Sequence, residues 1–344
     1  MTSFKRYFLY HLKSRVGYTA IVSLLGFLTT LISLIEEHGG NVTKNTDSLF
    51  DIPAVILSIT ALLSAVLEFA PFLSRRNLDT LYAMPISRHS MQLVHYLSGL
   101  ISTLTSHAIS FLLTVIFWLP YGQYFSLVYA IPLYFISIVC GAIMYAIAVF
   151  LFSKGNTIVD GCLTLALGGF AMPLFFSAVY TYYNFLKHLG FNPSSFTFLW
   201  SPIDEYTDAY QKLIQQDTYL GMLDNAPHFH TLAEFYQEKA TIIMTVLFLL
   251  LGIAAILGFF LYHPKKPIET VGEITTSFFS YRTMIPLYAF SMITNFGIDA
   301  FGICLFLACM VAGYIIYRRT YRLKRSDLIM MGAFVLYTVI ASLL

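Results

Sequence analysis

The sequence predicts an all-α membrane protein, a bundle of helices that cross the bilayer several times. Three observations predict this class. Of the 344 residues, 58% are hydrophobic and only 11% are charged, whereas soluble domains carry about 25% charged residues. The mean hydropathy is +0.72. At least six apolar runs reach the roughly 20 residues that a helix needs to cross about 30 Å of hydrocarbon.

The first sixteen residues predict an amphipathic helix that lies in the membrane interface. Apolar and aromatic residues recur at helical spacing on one side of this segment, and basic residues lie on another side. The first set is Phe4, Tyr7, Phe8, His11 and Leu12, and the second set is Lys5, Arg6 and Lys13. We expect a separate interfacial helix over residues 1–16.

Residues 17–262 predict a core of six membrane spans. The apolar runs are 17–35, 52–73, 93–119, 125–152, 158–183 and 240–261. Residues 74–91 then form a loop between the second and third spans, and residues 186–238 form an insertion between the fifth and sixth. The tail, residues 263–344, predicts two or three further membrane segments, at 284–296, 298–317 and 328–343.

The distribution of charge predicts the orientation of the chain. Lysine and arginine are concentrated in the segments before the first span, after the second, after the fourth and after the sixth, whereas acids dominate residues 36–51 and 186–238. Because basic loops remain on the cytoplasmic side, we expect a plasma (inner) membrane protein with a cytoplasmic N-terminus. A dense basic cluster at 318–325 is expected on the same side.

Motifs of enzyme chemistry are missing from the sequence. It contains no phosphate-binding loop, no dinucleotide fingerprint, no HExxH and no GxSxG. His228 and His230 have no third metal ligand nearby, and the pair Glu36 and Glu37 lacks the arginine of an EExxxR protease motif, because Asn41 occupies that place. We expect no enzymatic activity, no bound cofactor or metal, and no nucleic-acid partner.

Acidic residues in membrane spans are functional candidates, because inserting one costs roughly 2.5–3.5 kcal/mol. Three occur: Glu68, Asp160 and Asp299. We expect Asp160 and Asp299 to be solvated at span ends, and Glu68 to pair with Arg75 or Arg76 or to line a polar pathway. The predicted spans offer no chain of acids and histidines typical of a proton relay.

The loop 74–91 predicts a short helix that Pro85 limits. Leu78, Leu81 and Tyr82 share one face of this helix, with Arg75, Arg76 and Asp79 beside them. Ser87 is placed to cap the third span. The apolar face predicts either a contact with a soluble partner or a helix that lies flat on lipid headgroups.

Two stretches of this sequence resemble the permease subunits of bacterial ABC-2 type exporters. Residues 75–88 read RRNLDTLYAMPISR, a basic pair followed by an apolar stretch and a PxSR step, and residues 265–273 read KKPIETVGE. The similarity in layout covers about 260 residues, from the interfacial helix through six spans, and the last 70 or so residues depart from it.

The resemblance implies a transport subunit without its own ATP site. It would pair with a second permease copy and with two separately encoded ATPase subunits, which would bind ATP and Mg²⁺. The helix around Arg75–Tyr82 would be the coupling helix that docks on the ATPase, and residues 4–12 would be the elbow helix in contact with membrane lipid. The substrate is expected to be amphipathic: a peptide, a drug or a lipid-like molecule.

Other classes of membrane protein make different demands on the sequence. A secondary transporter or channel should contain inverted repeats or helices broken at matching positions. Gly168, Gly169 and Pro173 could break the fifth span, but no other span has a counterpart. An intramembrane enzyme would need several reactive side chains at one depth. We keep the secondary transporter or channel as the alternative.

Overall fold

The computed structural model describes residues 2–38, 48–118, 127–166, 168, 239–263, 268–273, 285–286, 300–318, 322 and 325–343. All regular secondary structure in these ranges is helical, as the sequence predicted. The α-helices are α1 (Thr2–His38), α2 (Ser48–Phe69), α3 (Arg75–Tyr82), α4 (Arg88–Trp118), α5 (Leu127–Ser153), α6 (Lys239–Tyr262), α7 (Ala300–Arg318) and α8 (Arg325–Leu343). Residues 158–166 are also helical, and 3₁₀ turns occur at Ala70–Leu73 and Ile268–Thr270.

Three helical segments in the described part of the chain are long and apolar enough to cross a membrane. They are Ile56–Leu73, Arg88–Ile116 and Tyr134–Ser153. They coincide with the second, third and fourth predicted spans. A shorter apolar stretch, Phe248–Tyr262, lies in the sixth. The chain therefore has the helices of a membrane protein.

Helix α1 differs from the sequence prediction in one respect. The sequence predicted an interfacial helix over residues 1–16 and a separate span from residue 17, but the structure has a single α-helix from Thr2 to His38. Gly17 lies inside this helix, and a Cβ at that position would meet nothing within 4 Å. The predicted boundary has no counterpart in the helix.

Several predicted features fall outside the described residues. They are the insertion at 186–238 with His228 and His230, most of the segments 158–183 and 284–296, and Asp299.

The chain divides into two compact units. The first comprises Met1–Glu68, Tyr82–Val149 and Leu199–Pro264, and the second comprises Phe69–Leu81, Phe150–Phe198 and Lys265–Leu344.

Helix α5 packs closely against its neighbours in the first unit through glycines. A Cβ on Gly141 would lie 2.7 Å from Leu57 of α2, and a Cβ on Gly252 of α6 would lie 2.8 Å from Ile143. Helices of membrane proteins commonly approach each other over such small residues. Tyr96 of α4 contacts the rings of Tyr145 and Phe259, which joins α4, α5 and α6. Helix α1 packs along α4.

Helix α3 lies within the stretch where the sequence predicted a short helix, and it ends before Pro85 as predicted. The Ser74 carbonyl accepts hydrogen bonds from the amides of Asn77 and Leu78, which starts the first turn, and the helix ends at Tyr82, three residues before Pro85. The prediction that Ser87 caps the next helix is confirmed, because its Oγ accepts a hydrogen bond from the Ser90 amide at 3.2 Å.

Candidate functional site

Helix α3 is held in the second unit by a chain segment that follows it by almost 200 residues. The Arg75 Nε donates a hydrogen bond of 2.7 Å to the Val271 carbonyl. The next residue, Gly272, donates its amide to the Asn156 carbonyl at 2.9 Å. Three separate segments therefore meet: α3, residues 153–157 and residues 268–273. We call this assembly the three-segment platform.

Gly272 is required by the geometry of the platform. Its φ is +89°, a conformation that side chains disfavour, and a Cβ there would lie 2.9 Å from the Arg75 Nε. The guanidinium therefore lies directly over the glycine. This contact joins the two stretches that carry the resemblance to ABC-2 permeases, which the sequence alone did not bring together.

The apolar face of α3 points into the protein. Leu78 is 3% exposed and Leu81 is 8% exposed, so both belong to the core of the chain. Tyr82 is half-buried, with the Arg88 guanidinium 4.6 Å from its ring centroid. The exposed side chains of the helix are Arg75, Arg76, Asn77, Asp79 and Thr80. In this structure a partner of α3 would therefore contact polar and charged groups instead of the leucines.

Residues 153–157 form the second segment of the platform, and Asp160, in the helix that follows, organises them. Its Oδ2 accepts the Asn156 amide at 2.8 Å, while its own amide donates to the Thr157 Oγ1 at 3.1 Å. This reciprocal arrangement resembles a capping box at the start of the helix 158–166. The Tyr317 hydroxyl of α7 donates to the Asp160 Oδ1.

The prediction of a solvated Asp160 is wrong. The residue is 7% exposed, because backbone and tyrosine donors replace water around the carboxylate.

Glu68 is the centre of a buried polar cluster in the first unit. Its side chain is 3% exposed, and its carboxylate oxygens contact nitrogen atoms of three side chains from α1 and α4. His11 Nε2 lies 2.7 Å and His95 Nδ1 lies 3.0 Å from Oε2, and Arg15 Nε lies 2.9 Å from Oε1. The partners of Glu68 are thus not the predicted Arg75 or Arg76. We call Glu68, His11, Arg15 and His95 the Glu68 cluster.

A tyrosine of α1 extends the Glu68 cluster. Burial, with a smaller effect of the Glu68 carboxylate, raises the pKa of Tyr7, so its hydroxyl remains protonated at neutral pH. This hydroxyl lies 3.1 Å from His95 Nε2. If it donates there, the proton of His95 is on Nδ1 and points at Glu68. The four predicted residues of the elbow, Phe4, Tyr7, Phe8 and Leu12, are half-buried, and Tyr7 is the one with a polar contact into the bundle.

The three ligand atoms of His11, Glu68 and His95 lie within 4.8 Å of one another, close enough to hold a metal ion. Two imidazoles and a carboxylate are a donor set that Zn²⁺ accepts. However, the Arg15 guanidinium already balances the charge of Glu68 at 2.9 Å, and a divalent ion would leave this buried cluster with a net positive charge. The observed contacts fit an ion-pair network better than a metal site.

The sequence pattern does not reveal this cluster, because its members come from three separate helices. His11 was noted on the apolar face of the first helix, where a histidine among aromatics was the available signal. His95 lies two residues inside the predicted third span and received no role. The predicted spans offered no group of acids and histidines, but the structure assembles one around Glu68.

Comparison with protein-family models, with curated proteins and with solved structures finds no match to this chain. The resemblance to ABC-2 permeases therefore rests on the two sequence stretches and the predicted layout.

Proposed function

We propose that this chain is the membrane-spanning permease subunit of an ATP-binding-cassette exporter of the ABC-2 type. It pairs with a second permease copy and with two ATPase subunits that bind ATP and Mg²⁺. In this proposal the six-span core lies in the plasma membrane with the N-terminus in the cytoplasm, and an amphipathic molecule is moved across the bilayer by ATP hydrolysis on the partner.

One observation carries the proposal. The three segments of the platform are all connections that the charge distribution assigns to the cytoplasm, and they are tied together by the Arg75 to Val271 and Gly272 to Asn156 hydrogen bonds. An ATPase that moves membrane helices from the cytoplasm needs a rigid surface that connects several of these helices. Nucleotide-driven movement at α3 would thus reach the segments after α5 and α6 together, and switch a bistable bundle.

The exposed residues of α3 supply the test. Charge reversals Arg76→Glu and Asp79→Arg change the surface that a partner would contact, because both side chains are exposed. Arg322→Glu is a matched control, since Arg322 is an exposed basic residue outside α3. Leu78→Asp is a poor test, because Leu78 is buried and its replacement would damage the fold.

The measurement is co-purification after mild detergent extraction. The unmodified protein and Arg322→Glu should recover a P-loop ATPase in stoichiometric amount, whereas Arg76→Glu and Asp79→Arg should lose it while keeping membrane insertion. Recovery of the unmodified chain without an ATPase would reject the proposal.

A secondary transporter is the second candidate, and the Glu68 cluster favours it. A buried carboxylate with two histidines and a tyrosine is the type of group through which ion-coupled transporters bind and release protons. This candidate predicts uptake or efflux in vesicles driven by an imposed pH gradient without ATP, and loss of that transport in Glu68→Gln. The ABC-2 proposal predicts no transport under the same conditions.

A further inference from the structure

Helix α4 carries a row of hydroxyl side chains along its buried face. The row consists of residues four apart, Ser98, Ser102, Ser106, Ser110 and Thr114, and each is at most 3% exposed. The opposite face of the same helix carries exposed apolar residues, among them Ile101, Leu112 and Ile116. The helix therefore has a polar side inside the bundle and an apolar side suited to lipid.

The hydroxyls of this row fall into two groups. Ser106 and Thr114 donate to the carbonyl oxygens of Ser102 and Ser110, each four residues earlier, at 2.9 Å. By contrast, the Oγ atoms of Ser98, Ser102 and Ser110 are buried and have no hydrogen-bond partner within the described part of the chain. Buried polar atoms in native proteins are nearly always satisfied by protein, water or a bound group.

Two further buried groups border the row and also lack a hydrogen-bond partner among the described residues. The Tyr145 hydroxyl of α5 reaches Gly99, where an added Cβ would overlap it and would lie 2.9 Å from the Glu68 Cγ. His107 of α4 contacts the Ser137 Oγ of α5 at 2.6 Å through Nε2, while its buried Nδ1 has no partner among the described residues. In the described part of the chain, five buried groups without a hydrogen-bond partner thus follow one side of α4 over more than three turns.

We propose that this side of α4 lines a hydrated passage that binds the uncharged, hydrogen-bonding part of the transported molecule, such as peptide amides or hydroxyl groups. The inference rests on the proposed transport function and names the chemistry of its pathway. From residue 98 to residue 114 the helix carries no lysine, arginine, aspartate or glutamate. Hydroxyls and an imidazole suit uncharged donors and acceptors, so the passage does not select phosphate or carboxylate groups.

Dry helix packing is the competing explanation. Small residues four apart allow two helices to approach closely in membranes, and α1 packs along α4. In that case the serines would contact a neighbouring helix and would not meet water.

Cysteine labelling separates the two explanations. In a background with Cys140, Cys162, Cys304 and Cys309 replaced by alanine, Ser102→Cys and Ser110→Cys are compared with Ile101→Cys and Leu112→Cys. The probe is a charged, membrane-impermeant methanethiosulfonate, applied to intact cells and to inside-out vesicles. The cysteine thiolate attacks the sulfur of this reagent and releases methanesulfinate, and the thiolate forms in water and not in lipid. The serine positions should therefore react about tenfold faster than the matched controls from at least one side.

Equal, slow labelling of all four cysteines would overturn the inference and establish dry packing. Labelling after denaturation verifies that every thiol is present, and Ser98→Cys with Leu93→Cys is a second pair if one variant fails to fold. The result does not depend on an ATPase: fast labelling without a co-purifying ATPase rejects the exporter proposal and keeps the passage, and the reverse result rejects the passage alone.

Discussion

Replacement of Arg15 by alanine should destabilise the protein strongly, because it leaves a buried carboxylate with a weaker set of partners. Glu68 has 3% of its side chain exposed, whereas Arg15 has 23% exposed. The carboxylate therefore depends on the protein for its solvation much more than the guanidinium does. Removal of one partner from a buried ion pair typically costs about 3–5 kcal/mol.

The partial exposure of Arg15 places the expected loss at the lower end of that range, since water screens part of the pair and the two histidines remain at 2.7 and 3.0 Å. We expect about 3 kcal/mol for Arg15→Ala. At about 2–4 °C per kcal/mol for domains of 150–250 residues, this corresponds to a fall of about 6–12 °C in the melting temperature in detergent.

The double variant Arg15→Ala with Glu68→Gln tests the cause of this loss. It removes the buried charge together with its partner, so it should melt at a higher temperature than Arg15→Ala alone. Lys13→Ala, an exposed lysine of the same helix, is the control and should melt within 1 or so degrees of the unmodified protein, as surface substitutions do. An Arg15→Ala protein as stable as this control, or additive losses in the double variant, would refute the reasoning.

Two other contacts give predictions of the same kind, measured by the melting temperature in detergent. Gly99→Ala should lower the free energy of unfolding by about 1–3 kcal/mol through overpacking, because its Cβ would overlap the Tyr145 hydroxyl. Gly17→Ala should be neutral or slightly stabilising, since its Cβ meets nothing within 4 Å. Equal effects of the two changes would contradict this. Asp160→Asn should lower the free energy of unfolding by about 1.5–3 kcal/mol, because it removes a charged hydrogen-bond acceptor. Tyr317→Phe should cost less in the Asp160→Asn background than in the unmodified protein, because the hydroxyl donates to Asp160. Strictly additive losses would count against this hydrogen bond.

Features set by local chemistry were predictable from the sequence. The apolar runs gave the positions of α2, α4, α5 and α6 within a few residues, because crossing hydrocarbon fixes both length and polarity. The limits of α3 and the cap at Ser87 follow from proline and serine at known offsets. The continuity of α1 did not follow, since a change of amphipathic pattern near residue 17 marks a change of surroundings and not a break of the backbone.

Features set by tertiary contacts were not predictable in the same way. The Glu68 cluster joins residues 57 and 27 positions apart in the chain, and no local pattern specifies which basic residue a buried carboxylate meets. Arg75 and Arg76 are nearer in sequence than Arg15, and this proximity was misleading. The buried face of α3 was recognised as apolar, but its direction, toward the protein or toward a partner, depends on the packing of the second unit. The serines of α4 recur with a period of four, but the sequence does not show that this side of the helix is buried.

The unbroken course of α1 has a mechanical consequence. A helix of 37 residues is about 55 Å long, well above the roughly 30 Å of a hydrocarbon core, and it contains no proline that would act as a joint. Its first turns carry Tyr7, His11 and Arg15, so the end that meets Glu68 cannot pivot independently of the rest. A small tilt of α1 against α4 would therefore move His11 and Arg15 relative to the Glu68 carboxylate.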